Sequence, residues 1–293
     1  MRLSVILILG LLIQPALAQT DLGNPSSDPL PASALLTESP DSLQLNPHSL
    51  SGLPTGNRNF KGRRWIFAAG NAAALGLGYI WSQNAWGSSA GKFHWKNDWT
   101  GDNLAQNDEI SHLVICFNIS RYLRPVYNWL GVSPERSALY SSLHTATIGT
   151  LVEYPIDAHN PLQGLGVSDL IADYAGSVLA LGQYHFPALD DFYLKSSFKQ
   201  APWNSNENIL AGKLEEFDNE IFWLTYKLKF KRMDFLHAGF GYSTNHHTVK
   251  VQREYYIGLG TTIPEMINIL SPKLARILLP LDLFYLELHQ RLN

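Results

Sequence analysis

Between Thr150 and Leu181 the chain sets Glu153, Asp157, Asp169 and Asp173 into TLVEYPIDAHNPLQGLGVSDLIADYAGSVLAL, a stretch otherwise built of apolar and small residues. A carboxylate on such a segment is carried inside with it, and a buried charge costs several kcal/mol unless it is paired. Any fold of this chain must therefore bring these acids to partners. Asp108 with His112, Glu153 with Asp157, and Asp169 with Asp173 are each four apart, the spacing of neighbours on one helix face. Three such helices meeting would converge six polar groups on one place. Carboxylates with an imidazole can bind a divalent cation, supply a general acid and base, or relay protons. The plainer reading is a structural network, with Asp108 and Asp169 complementing the dipole at helix starts. Pro155, between Glu153 and Asp157, also puts helical geometry there in question.

The pattern around these residues predicts a mainly α fold: a bundle of about four short apolar helices, partly membrane-associated, then a small antiparallel sheet and a C-terminal amphipathic helix. Asn107–Trp129 reads as a helix with Asp108 and Glu109 in its first turn, interrupted or kinked near Arg121, Arg124 and Pro125. Ser133-Pro134-Glu135 opens another, running to Val152, with proline at the first position. Val167-Ser168-Asp169 opens a further one, ending near Gly182. Glu220–Phe230 alternates, Phe222, Leu224, Tyr226, Leu228 and Phe230 on one face and Trp223, Thr225, Lys227 and Lys229 on the other, as in a half-buried strand. Phe235–Tyr242 and Tyr255–Ile263 read likewise, joined by the turn Thr244–His247. After Pro264 a Leu/Ile-rich tail with Lys273 and Arg276, cut by Pro272 and Pro280, suits an amphipathic surface helix.

Charged residues are 16% of the chain, against about 25% in ordinary soluble proteins. With 12% aromatics, this leans toward membrane association. Residues 1–18 have the form of a secretory signal, Arg2 before an apolar run and Ala16-Leu17-Ala18 before Gln19. No cysteine follows the cleavage point, which closes the lipoprotein route. Residues 19–60 carry Pro25, Pro29, Pro31, Pro40, Pro47 and Pro54 and read as a disordered linker. The helical core then covers 61–200, and strands with the terminal helix cover 201–293. Localisation is expected to be exported, in the periplasm or cell envelope.

Trp65–Gly91 holds no acid or base, and its first part, WIFAAGNAAALGLGYIW, has about the length of a membrane span with aromatics at both ends. Lys61, Arg63 and Arg64 ahead of it oppose the positive-inside rule for an exported chain, and Asn71 interrupts it. A spanning helix and a buried or half-inserted one both remain open. Gly70, Ala74 and Gly78 repeat every four, which suits close packing.

A net charge of −3 gives no basic stripe for nucleic acid. Cys116, the one cysteine, excludes an internal disulfide and reads as a small buried hydrophobe. His246-His247, with His237 nearby, has no third ligand at standard spacing and reads as exposed loop. Arg124 beside Arg121 and Pro125 can meet a lipid phosphate as a forked donor, or mark a membrane interface.

The order NDEISH (107–112), LVEYPID (151–157) and GVSDLIADYAG (166–176), followed by EIFWLTYKLKF, FLHAGFGYS and REYYIGLG, resembles the uncharacterised envelope family called domain of unknown function 2279. The resemblance covers roughly residues 60–290. More distantly the helical core resembles VanZ-like membrane proteins, which share an Asp…His, Glu and Ser-Asp pattern. Where the domain of unknown function 2279 family favours Lys after the first Asp, this chain has Glu109, and where it favours Asn after Ser-Asp, this chain has Asp173. Two extra negative charges either raise a carboxylate pKa or invite a cation. The resemblance implies location and architecture and carries no activity.

A fainter resemblance, to lipid phosphatases of the phosphatidic-acid type, rests on Arg124-Pro125, Ser142-Leu143-His144 and His159…Asp169. Leu143 stands where glycine is expected there, and the basic first motif is missing.

The expectation is an envelope-associated binding or accessory protein. Asp108, His112, Glu153, Asp157, Asp169, Asp173 and Arg124 would hold a membrane lipid or glycolipid headgroup, or a divalent cation. The alternatives are a hydrolase acting on envelope lipids, with His112 or His144 and a carboxylate, and a scaffold with an inert polar core.

Overall fold

The computed structural model describes residues 60–85, 87–97, 105–199, 218–230, 233–246 and 251–293. The expected leader, nearly all of the linker, and His247 lie outside the described residues. Four helices come first: α1 (Phe60–Ala85), α2 (Asn107–Trp129), α3 (Pro134–Leu151) and α4 (Val167–His185). Five strands follow: β1 (Phe192–Phe198), β2 (Glu220–Lys227), β3 (His237–Asn245), β4 (Gln252–Thr262) and β5 (Tyr285–Arg291). Two short helices, α5 (Ile263–Leu270) and α6 (Pro272–Ile277), stand between β4 and β5.

Helix α2 is the central element. Its Val114, Phe117, Ile119, Tyr122 and Leu123 form one core with Ala180 of α4, Leu194 of β1, Phe222 of β2 and Leu283. Each large side chain fully buried there is worth about 1.5–3 kcal/mol. These residues point to more than one side of the helix, so α2 packs on α3, α4 and the sheet together. It runs on through Pro125 to Trp129.

Among the described side chains of α1, Gly70, Ala74, Gly78 and Ser82 are buried, while Trp65, Leu77 and Ile80 are exposed. Arg63 ties α1 to the end of α2, its Nη1 donating to Trp129 O at 2.7 Å and its guanidinium lying over the Trp129 ring. Among the described residues no helix is long and apolar enough to cross a membrane. Of the two alternatives open for residues 65–81, this favours the buried or half-inserted helix. Its many Ala and Gly, with Asn71, supply length without the hydropathy of a span.

The helices-then-sheet order is as expected, but the fold is mixed rather than mainly α. All five strands join in one antiparallel sheet of order β1-β2-β3-β4-β5. The sheet curls until its edges meet: Ser196 and Phe284 form one parallel bridge, and Ser197 Oγ donates to Glu287 Oε1 at 2.9 Å. The expected C-terminal amphipathic helix is likewise corrected. Pro272 and Pro280 fragment it into α5, α6 and a 3₁₀ turn at Leu279–Leu283, after which the chain returns as β5.

The alternation of β2 is real, but beyond Phe222 the buried side is the other one. Ile221, Trp223 and Thr225 are buried, whereas Leu224 is 50% exposed. The reason is the indole. Trp223 lies across glycines of the neighbouring strands, so that a Cβ at Gly239, Gly241 or Gly258 would stand 2.9 Å from its ring. Ile221, Trp223, Tyr256 and Tyr285 make a second core inside the curl. Its polar atoms find partners: Trp223 Nε1 donates to Ser197 Oγ at 2.8 Å and Tyr285 OH to His237 O at 2.6 Å.

Candidate functional site

Three helices and one loop build the polar cluster. Asp108 and His112 stand on the first turns of α2, Asp169 and Asp173 on α4, and Glu153 and Asp157 just beyond α3. Tyr154 leaves helical backbone, with φ −139° and ψ 119°, as expected for a residue before proline. Glu153 and Asp157 are therefore not a helical pair, yet both side chains reach the cluster, Glu153 1% and Asp157 9% exposed.

Two close backbone approaches set the geometry. A Cβ at Gly176 would run into Leu113 O and stand 2.9 Å from Phe117 N, so glycine lets α4 lie directly on α2. One at Gly149 would stand 2.6 Å from Asp173 Cγ, so α3 leaves room for that carboxylate. In this packing His112 Nδ1 is 2.9 Å from Asp173 Oδ1, and Cys116 Sγ donates to the same oxygen at 3.0 Å. His112 Nε2 is turned toward Asp108 Oδ1 at 3.8 Å.

The loop ahead of α2 supplies a residue that the sequence reading passed over. Backbone hydrogen bonds from Gly91 to His159, His94 to Ala158 and Lys96 to Leu165 lay this loop along residues 158–165. Gly164, at φ 94°, lets the strands of this contact close, since a Cβ there would stand 2.9 Å from Lys96 N. Lys96 Nζ thereby lies between two acids, 2.7 Å from Asp108 Oδ2 and 2.8 Å from Asp169 Oδ2. In the sequence Lys96 carries no spacing that ties it to residue 108 or 169.

The electrostatics follow from burial opposed by charge. Burial lowers the Lys96 pKa, but Asp108 and Asp169 outweigh it and hold the ammonium above its ordinary range. Burial likewise opposes the charge on His112, yet Asp173, with Asp108 and Asp169, raises its pKa well above the usual imidazole value. Asp108 is held below the ordinary carboxylate range, Lys96 and His112 overcoming its desolvation. Burial dominates at the other acids. It pushes Glu153 up to about 9, with Asp169 and Asp157 adding to the rise. It pushes Asp157 up to about 7 and raises Asp169, where Asp108 adds to the shift. Burial and the neighbouring Asp173 raise the Cys116 thiol as well. Besides burial, the acids that add to these rises are Asp108, Asp157 and Asp169, and the ammonium among them is that of Lys96.

Glu153 also accepts a hydrogen bond from Gly166 N at 3.0 Å, pinning the start of α4. Asp169 Oδ1, Asp157 Oδ1 and Asp173 Oδ2 are buried with no hydrogen-bond partner among the described residues. Donor atoms of Asp108, His112 and Asp169 lie within 4.8 Å of one another, as do those of His112, Glu153 and Asp173.

Six of the seven expected residues thus meet. Arg124 does not: it lies twelve residues along α2 from His112, about 18 Å at 1.5 Å per residue. Its guanidinium is buried over the Tyr184 ring at 5.2 Å, and burial lowers its pKa to about 10. The phosphatase-like residues have separate surroundings. His144 Nδ1 meets Tyr127 OH at 3.0 Å, while His159 Nδ1 meets Pro155 O at 2.9 Å. His237 is buried in β3 against Glu265 Oε2 at 2.6 Å, and His246 pairs with Asp218 at 2.5 Å. His237 lies in the expected strand, while His246 lies in a loop but is only partly exposed.

In comparisons with known proteins, no family model, no curated protein and no solved structure matches this chain.

Proposed function

We propose that this is an exported, envelope-associated binding or accessory protein. It holds at its acidic/His cluster a group that is positively charged or rich in hydrogen-bond donors. A divalent cation, the amine of a lipid headgroup and the hydroxyls of a glycolipid share that chemistry. The observation that carries the reading is the set of buried acceptors, Asp157 Oδ1, Asp169 Oδ1 and Asp173 Oδ2, beside a core already neutralised by Lys96 and His112. A buried acceptor left unmatched costs about 1–3 kcal/mol, and a ligand that donates to it recovers that cost. Acids outnumber bases in the cluster, which disfavours a bare phosphate.

The envelope assignment is supported by the signal-like residues 1–18 and by an order of motifs that resembles the envelope family named above. Exposed apolar side chains agree with it. On α3, Tyr140, Leu143 and Leu151, and on α4, Ile171, Tyr174 and Val178, stand exposed at helical spacing.

Mass spectrometry of lipids and metals retained by the protein after extraction from membranes tests the reading. A retained species lost in Asp169→Asn and His112→Asn, both still folded, is expected. An identical retained set in wild type and variants removes it.

The hydrolase alternative draws on one observation, the His112–Asp173 contact, which has the form of a base held by an orienting carboxylate. With its pKa raised, His112 acts there as a proton donor. Turnover of phosphatidic acid or a polyprenyl phosphate, lost in His112→Asn, would favour it. The scaffold alternative requires that apolar replacements across the cluster keep both fold and envelope phenotype.

A further inference from the structure

The two faces of His112 are not equivalent. Nδ1 is engaged by Asp173 Oδ1 at 2.9 Å, and Asp173 is itself buried and fixed by the Cys116 thiol. Nε2 points instead toward Asp108 Oδ1 at 3.8 Å, beyond hydrogen-bond distance. This is the arrangement that metal-binding histidines use: one ring nitrogen donates to a carboxylate, which fixes the tautomer, and the other carries the lone pair for the metal. Asp108 and Asp169 complete a triad with donor atoms within 4.8 Å of one another. Bonds of about 2.0–2.2 Å span such a set with small rotations of the side chains.

Two further observations point to a cation at this spot. Asp169, 2% exposed, keeps one buried oxygen, Oδ1, with no hydrogen-bond partner among the described residues. The positive charge between Asp108 and Asp169 is a lysine ammonium, reaching in from a loop with its side chain 23% exposed. Lysine has a flexible four-carbon stem. Lys96 can therefore withdraw to solvent while its backbone stays bonded to Leu165.

We propose that Asp108, His112 and Asp169 form a site for one divalent transition-metal ion, bound through His112 Nε2 and the two carboxylates when the Lys96 ammonium turns away. One imidazole with two carboxylates suits zinc or manganese better than magnesium or calcium, which take all-oxygen sites. Lys96 is then a tethered competitor that sets the affinity, and Asp173 is a positioning residue. The inference rests on the binding reading above and names its ligand.

The test is titration of the purified, metal-stripped full chain with ZnCl2 by calorimetry, with Co2+ absorption as a spectroscopic probe of an N/O site. The wild type is expected to take up one equivalent, and Lys96→Met to bind about tenfold or more tightly. His112→Gln and Asp169→Asn, each checked for native circular dichroism, should lose the uptake. Asp173→Asn should weaken it by about 10–100-fold, in the range of outer-shell substitutions, and shift the Co2+ bands. In the double variant Lys96→Met/His112→Gln the bands should vanish, which separates the site from adventitious binding. Absence of saturable uptake by the wild type overturns the proposal, as does uptake that folded His112→Gln retains. If the wild type retains a lipid that Asp169→Asn loses, yet takes up no zinc, the metal site falls and the broader reading stands. If neither binds, both fall.

Discussion

Gly176 of α4 lies against the backbone of α2 at Leu113, so close that a methyl group at 176 would meet Leu113 O, Phe117 N and Cys116 Cβ. The contact stands one helical turn from Asp173, on the face that carries its carboxylate to His112. The approach of these two helices and the geometry of the cluster are therefore one feature.

Gly176→Ala should destabilise the protein by about 1–3 kcal/mol, the usual cost of overpacking, although alanine favours the helix itself. Because the methyl pushes α4 off α2, the His112–Asp173 contact should lengthen. Urea unfolding gives the first quantity, and the His112 pKa by NMR gives the second, falling toward its unperturbed value. A stable variant with an unchanged His112 titration would show that the helix contact does not hold the pair.

Lys96→Met should cost on the order of 3 kcal/mol, toward the lower end for removing one partner of a buried pair, since Lys96 is partly exposed. The loss comes from leaving Asp108 and Asp169 facing each other without a cation. Replacing those acids as well, in Lys96→Met/Asp108→Asn/Asp169→Asn, should recover most of it. Chemical unfolding of the three proteins in metal-free buffer checks the pattern. A triple variant no more stable than Lys96→Met would place the stabilisation elsewhere.

The sequence made the helical walls of this site readable because four-residue spacing is local. Asp108 with His112 and Asp169 with Asp173 are helix neighbours whatever the rest of the chain does, and proline and acid positions marked the starts of α3 and α4. Lys96 escaped because its pairing is set by a loop lying on residues 158–165, a contact without periodicity. Arg124 was drawn in for its chemistry, but the straight rise of α2 takes it away from His112. In the sheet, period two gave the alternation of β2 and not the inward side. That was decided by the glycines at 239, 241 and 258, which accommodate an indole and leave Leu224 outside. In the strand Tyr285–Arg291 only Leu286-Glu287-Leu288-His289 alternates in sequence, and the Leu/Ile-rich run before it masked the change of period.

Glu153 makes stability depend on pH in a direction opposite to that of an ordinary salt-bridged acid. Its carboxyl titrates near 9 in the fold against an unperturbed 4.5. Between those values the folded protein holds a proton that the unfolded chain has released, so stability falls as pH rises through the window. The slope from one such group is at most about 1.4 kcal/mol per pH unit. Glu153→Gln keeps an acceptor for Gly166 N and cannot ionise. Its stability relative to wild type should therefore increase steadily from pH 5 toward pH 9, while the downward slope from Asp157, up to about pH 7, is common to both proteins. Urea midpoints across that range decide the matter, and parallel curves for the two proteins would rule out a protonated Glu153.

Trp223 and Gly258 should be energetically coupled. A Cβ at Gly258 would stand 2.9 Å from Trp223 Cη2 and 3.0 Å from Cζ3, while its next neighbour, Leu288 O, is at an ordinary 3.4 Å. Gly258→Ala alone should cost about 1–3 kcal/mol, because the indole has no room to retreat. Trp223→Ala alone should cost about 3–5 kcal/mol through the cavity it leaves among Ile221, Tyr256 and Tyr285. In the double variant the added methyl enters that cavity rather than striking a ring, and alanine carries none of glycine's backbone entropy cost in a strand. The two losses should therefore sum to more than the double variant shows, by about 1 kcal/mol or more, the size of coupling seen between residues in contact. A double-mutant cycle from denaturant unfolding measures it directly. Additive losses would mean that the curled sheet relaxes around the methyl, and that the glycines of β3 and β4 serve the curvature of the strands rather than the seating of the indole.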